Sequence, residues 1–168
     1  MSARWQIAQA NVARMRAPLQ DARMAGFRSQ LPRINALADA SPGFVWRLQT
    51  DSGDATAVRA FDDPLILFNM SVWESLEDLH RYVYASDHVR PLRARRSWFE
   101  PFAGPSLVLW WISAGHVPGV DEALAKLARL RERGPSAEAF TFRAPFPAPG
   151  APASRPPEVD AEFCGGAP

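Results

Sequence analysis

The sequence predicts an α+β domain in which a four-stranded antiparallel sheet carries helices on one face. Three observations lead there. The apolar runs 44–49 and 65–73 have strand length and strand composition, and a polar, turn-bearing stretch separates them. The run 106–112 (SLVLWWI) is continuously apolar, as in a strand covered on both faces. Stretches 21–40 and 120–133 repeat apolar residues every three or four positions, the period of an amphipathic helix.

Taken in order, Trp5 to Val12 alternates as a first strand, with Trp5, Ile7, Gln9 and Asn11 on one side. Asp21 can cap the helix that follows, which is bent at Pro32 and stopped by Ser41, Pro42 and Gly43. After the two middle strands, with the segment 56–61 between them left unassigned, Ser75 and Asp78 have capping-box spacing for a helix running to Tyr82 or Tyr84. A second helical piece, capped by Asp87 with Pro91 in its first turn, ends near Glu100 and Pro101. The strand at 106–112 should be central or at an interface. The helix over 120–133 is acidic at its start, basic at its end and closed by Gly134 and Pro135; its stripe is Val120, Leu124, Leu127 and Leu130. An aromatic extension, 140–147, can lie across the domain, and the Pro/Ala/Gly-rich tail, 148–168, has too few apolar residues to order itself. The domain is therefore expected to span 1–147.

Strand, helix, strand, strand, helix, strand is the order of a ferredoxin-like unit. Both sides of the strand at 65–73 are apolar, and Trp110 and Trp111 must point to opposite faces. If helices cover one face only, a second subunit is the natural cover for the other, so a homodimer is expected.

Composition narrows the function classes. The chain has 168 residues, 47% apolar and 22% charged, with a formal charge of +1, which gives no reason to expect nucleic acid or an anionic membrane as partner. The start lacks the pattern of a secretory signal, and no stretch approaches the about 20 apolar residues of a membrane span, so a cytoplasmic location is expected. The single cysteine, Cys164, excludes an intrachain disulfide and a cysteine metal site. His80, His88 and His116 have no metal-ligand spacing, and His116 is read as ordering its turn. The glycine patterns of Rossmann cofactor sites and phosphate loops, and the serine-hydrolase elbow, are absent.

The densest gathering of chemically capable residues is 84–99 (YASDHVRPLRARRSWF). With Asp87 as cap, His88, Leu92, Arg95 and Phe99 fall on one helical face, while Arg93 and Arg96 fall away from it toward solvent or an interface. Asn69, Ser71 and Trp73 share one strand face. Polar groups in mid-strand need partners, and either a ligand pocket or a side-chain to backbone hydrogen bond supplies them; Asn11 carries the same ambiguity. Trp46 and Arg47 point to opposite faces, and one or two of the tryptophans can line an aromatic cavity.

The segments INALADASPGFVWRL (34–48), NMSVWES (69–75), 84–99, LVLWWISAGH (107–116) and GPSAEAFTFRAPF (134–146) together resemble a domain-of-unknown-function family, DUF3291. That family is related to the antibiotic-biosynthesis-monooxygenase-like dimeric α+β barrel proteins. The resemblance covers roughly residues 4–147. It implies a pocket between sheet and helices of each subunit, used in the wider group by cofactor-free oxygenases, by isomerases and cyclases, and by haem-binding members.

In such a pocket His88, with an unperturbed pKa of about 6.5, can take a proton from an acidic C–H or a phenol, and Arg95 can hold the resulting oxyanion. Asn69, Ser71, Trp73, Trp46 and Phe99 are the candidate substrate contacts. The leading expectation is a cofactor-independent monooxygenase-like or isomerase/cyclase-type enzyme acting on an aromatic or polyketide-like metabolite. Its rivals are a non-catalytic metabolite-binding or sensing protein and a haem-binding protein, with His88 as axial ligand and Arg95 or Arg96 on the propionates.

Overall fold

A computed structural model describes residues 4–85 and 92–152. The sheet is built on β1 (Trp5–Met15), longer than expected because its alternation continues through Ala13 and Met15. Along one edge it pairs antiparallel with β3 (Ile66–Trp73), in a register running from Ile7 opposite Trp73 to Arg14 opposite Ile66. β2 (Phe44–Arg47) closes that side on β3, with an irregularity between Phe44 and Trp46. The far edge of β1 pairs with β5 (Leu107–Ser113) and, at its end, with the two-residue β4 (Phe99–Glu100). With β4 set aside, the order is β2-β3-β1-β5, the ferredoxin-like arrangement. Among the described residues β5 is thus an edge strand, not a central one. Phe140 covers part of its outer edge, exchanging backbone hydrogen bonds of 2.8 and 2.9 Å with Leu109.

The helices are α1 (Ala25–Asp39), α2 (Leu76–Ala85), α3 (Leu92–Trp98) and α4 (Val120–Arg133). Asp21 caps a short 3-10 turn leading into α1, accepting from Arg23 N at 2.9 Å. At the start of α2, Ser75 Oγ accepts from Asp78 N at 3.0 Å, which is half of the predicted capping box. Gly134 ends α4 at φ 75°, a conformation that residues with a Cβ seldom adopt.

Strand alternation sorts the core into two faces. On one, Ala8, Ala10, Val12, Phe68, Met70, Val72 and Trp110 pack on Ala123, Leu127 and Leu130 of α4. On the other, Ile7, Trp73 and Leu109 meet Ala38 of α1, Leu79 of α2 and Phe140 of the aromatic extension, while Met15 forms a separate cluster with Met24 and Trp98. The expectation of helices on one face is corrected here. α4 lies on the second face over β5 and β1, and Trp46, Val58 and Phe61 pack against the same cluster, so this face is covered from within the chain and no longer argues for a dimer. Among the described residues the large apolar side chains left exposed are Val45, Tyr84 and Val117, which are scattered singly.

Candidate functional site

The face that carries α1 and α2 is not apolar throughout. At mid-sheet it presents Gln9, Asn11, Asn69 and Ser71, and this polar band separates the two apolar clusters of that face. Ser71 Oγ accepts from Gln9 Nε2 at 2.8 Å and from Trp73 Nε1 at 2.9 Å, which satisfies three buried polar groups at once. Asn11 and Asn69 stand directly opposite each other in the β1–β3 register. Neither carboxamide has a hydrogen-bond partner among the described residues, and both border a cavity of about 200 Å³.

Five parts of the chain line that cavity. β1 and β3 give a floor of Asn11, Ala13, Leu67 and Asn69. α1 lies over it with Phe27, Leu31 and Ile34, recurring every three or four residues, and with Gln30 and Asn35 beside them. Arg95, Trp98 and Phe99 close one end, and the loop Asp54, Ala55, Thr56 closes the other. Phe27 sets its ring edge-on to Phe99, 5.0 Å between centroids at 86°, and lies 5.9 Å from Trp98. The Arg95 guanidinium sits 5.9 Å above the Phe99 ring. The loop is held by Asp54, whose Oδ1 accepts from Thr56 N at 2.8 Å and Thr56 Oγ1 at 2.5 Å, and by Arg47, which donates to Gly53 O at 2.8 Å.

Of the residues singled out from sequence, Asn69, Arg95 and Phe99 therefore converge, joined by Asn11. Ser71 is beside the cavity but committed to Gln9 and Trp73. Trp73 is fully buried under α2, stacked on Tyr82 with centroids 4.9 Å apart. Trp46 packs on the α4 face, on the far side of the sheet. His88 and the side chain of Leu92 lie outside the described residues. His116 bonds Glu122 Oε2 at 2.7 Å, ordering its turn against the first turn of α4. Sequence reasoning missed Gln30, Asn35, Asp54 and Thr56. Gln30 and Asn35 flank the apolar stripe of α1, a signal that was available, but only the fold brings the loop to them.

The sealed character of the Trp73 site is testable. Burial pushes the Tyr82 phenol up to about 12, against a smaller opposing effect of the Arg47 charge. The folded state then holds a proton that the unfolded chain releases near pH 10, so stability should fall as pH rises from about 10 to 12. Tyr82→Phe should flatten that part of the melting-temperature profile.

Among the described residues no group of three metal-ligating side chains occurs, and no helix is long and apolar enough to cross a membrane. Haem would need an axial donor. None of the described residues lining the cavity is His, Cys, Met or Tyr, so a donor for haem would have to come from outside them, as the His88 reading supposes.

Fold and cavity together define a class: a ferredoxin-like α+β protein with a small-molecule-sized cavity between its sheet and its first helix. Residues 6–156 match the family model described as a domain of unknown function, DUF3291, and the chain belongs to that family. Among solved structures it is similar to a mutant of SnoaB, a cofactor-independent oxygenase from Streptomyces nogalater. The identity is 17%, over 68% of this chain and 97% of that one, with a TM-score of 0.43. It is similar too to a candidate antibiotic biosynthesis monooxygenase from Nitrosomonas europaea, at 12% identity over 70% of this chain and 94% of that one, TM-score 0.42. A third similar structure is PA3566 from Pseudomonas aeruginosa, at 13% identity over 70% and 98% of the two chains, TM-score 0.39. A comparison with curated proteins found no match.

Proposed function

We propose that the protein binds the ring system of a hydroxyaromatic, polyketide-like metabolite in this cavity and oxygenates it without a cofactor. The observation that carries the reading is the Asn11–Asn69 pair: two carboxamides without partners among the described residues, side by side on the floor of an otherwise largely apolar, aromatic-walled space. A volume of about 200 Å³ exceeds the roughly 150 Å³ of a cavity that holds benzene and suits one or two fused rings. The rest of a larger molecule would lie outside it.

Amide N–H groups aimed at a ring oxygen favour its anion over the neutral phenol, and the anion is the form from which dioxygen can take an electron. Recombination forms a C–O–O bond, and loss of water leaves the quinone. The substrate supplies all the electrons, so phenol plus dioxygen gives quinone plus water. Asp54 is the one carboxylate among the described cavity residues, and its Oδ1 is already held by Thr56. His88 is therefore assigned the proton, and Arg95 the oxyanion.

Oxygen uptake with a panel of hydroxynaphthalenes tests this. The wild type should consume dioxygen and release quinone in equal amounts, and His88→Ala should be slower by about 100-fold or more. Full turnover in His88→Ala would remove the histidine from the mechanism. Saturable binding with no oxygen uptake would leave a binding protein.

A further inference from the structure

We propose that the ligand of this cavity is an aromatic acid, whose carboxylate is held outside the ring site by Arg16 and Arg96, with Arg95 standing between that rim and the ring site. The proposal rests on the cavity being the ligand site. The observation behind it is a second, more open depression bordered by these three arginines and by Phe99, Glu100 and Pro101. Arg95 and Phe99 belong to both spaces, so one ligand can occupy the two together.

The three guanidiniums are exposed, and among the described residues none is paired with a carboxylate. Glu100, the one acid bordering the depression, is engaged by Arg14 Nε at 2.9 Å, and Arg14 also binds Asp63. The rim is nevertheless built on fixed backbone. Arg16 N donates to Trp98 O at 2.8 Å, and Arg16 Nε donates to Arg96 O at 2.8 Å, which ties the end of β1 to the end of α3 and sets the direction of that guanidinium. With Glu100 engaged by Arg14, the like charges along this rim repel one another, and an anion in their midst relieves that repulsion. Guanidinium matches the two oxygens of a carboxylate in a bidentate pair. The cavity selects a flat ring, and the rim selects the acid attached to it.

The test uses the full chain and three probes of one ring size: a hydroxynaphthoate, its methyl ester and the parent naphthol, titrated by calorimetry at low and high salt. The acid should bind about tenfold or more tighter than its ester at low salt, and the advantage should shrink on adding salt. In Arg16→Gln/Arg96→Gln the acid should fall to within about twofold of the ester. Equal binding of acid and ester by the wild type would overturn the rim proposal. So would a double variant that weakens both alike. If naphthol binds and Asn69→Ala weakens it while the acid has no advantage, the cavity stands and the rim fails. If none of the three binds, both fail. A naphthyl phosphate that binds while the naphthoate does not would refute the carboxylate as the recognised group.

Discussion

Replacing Asn69 with alanine is expected to weaken ligand binding or turnover by about 10- to 100-fold while leaving the fold almost as stable as before. The first figure follows from losing a hydrogen bond to a charged oxygen, worth about 1.5–3 kcal/mol. The second follows from its setting: Asn69 is exposed, and its carboxamide bonds nothing among the described residues, so removal should cost within about 0.5 kcal/mol. Asn11→Ala should behave alike. Because the two residues face each other across β1 and β3, the double variant should lose less than the sum of the single losses. Titration of the intrinsic tryptophan fluorescence, run beside thermal denaturation, separates the two effects. A large drop in melting temperature with unchanged binding would make the amide pair a structural feature and sink the site.

Trp98→Ala is expected to cost about 3–5 kcal/mol in folding stability by urea denaturation, besides removing one wall of the cavity. The indole is 8% exposed and packs with Met15, Met24 and Phe27 at the end of the sheet that the other apolar cluster of that face does not reach. Its neighbour Gly26 gives a graded control. A Cβ there would sit 2.9 Å from Trp98 Cζ2, so alanine must push the ring or the helix. Overpacking costs about 1–3 kcal/mol, more than the up to about 1 kcal/mol that alanine gains over glycine in a helix. Gly26→Ala should therefore destabilise despite its better propensity. A stabilised Gly26→Ala would show that this wall of the cavity is free to move.

Much of the fold was legible in the chain because its signals are local. Asp21, Ser75 and Gly134 mark helix ends through bonds or dihedrals that involve near neighbours. The alternation of β3 assigned Asn69, Ser71 and Trp73 to one face correctly. It did not separate them. Asn69 borders a cavity, Ser71 satisfies two buried donors, and Trp73 is sealed under α2, although each lies only two positions from the next. What distinguishes them is which part of the chain lies above: α1 and the loop at 54–56 over Asn69, α2 over Trp73. That depends on segments far away in sequence.

The helix at 120–133 makes the same point. Its bounds and stripe were evident from period and caps, but an apolar stripe does not say which surface it will meet. By packing on the second face together with Trp46, Val58 and Phe61, α4 removes the argument that a partner must lie there. By itself, the sequence determined the main elements, their order, the ferredoxin-like topology and the presence of Asn69, Arg95 and Phe99 among the chemically capable residues, because short-range periodicity and capping encode these; it did not give β4, which takes Phe99 out of the expected helix and pairs it with Met15. Only the tertiary structure decided that Asn11 joins them, that Trp46 and Trp73 are packing residues, and that three arginines border one depression next to the cavity. Those outcomes depend on strand register and on contacts between distant segments, which local patterns do not carry.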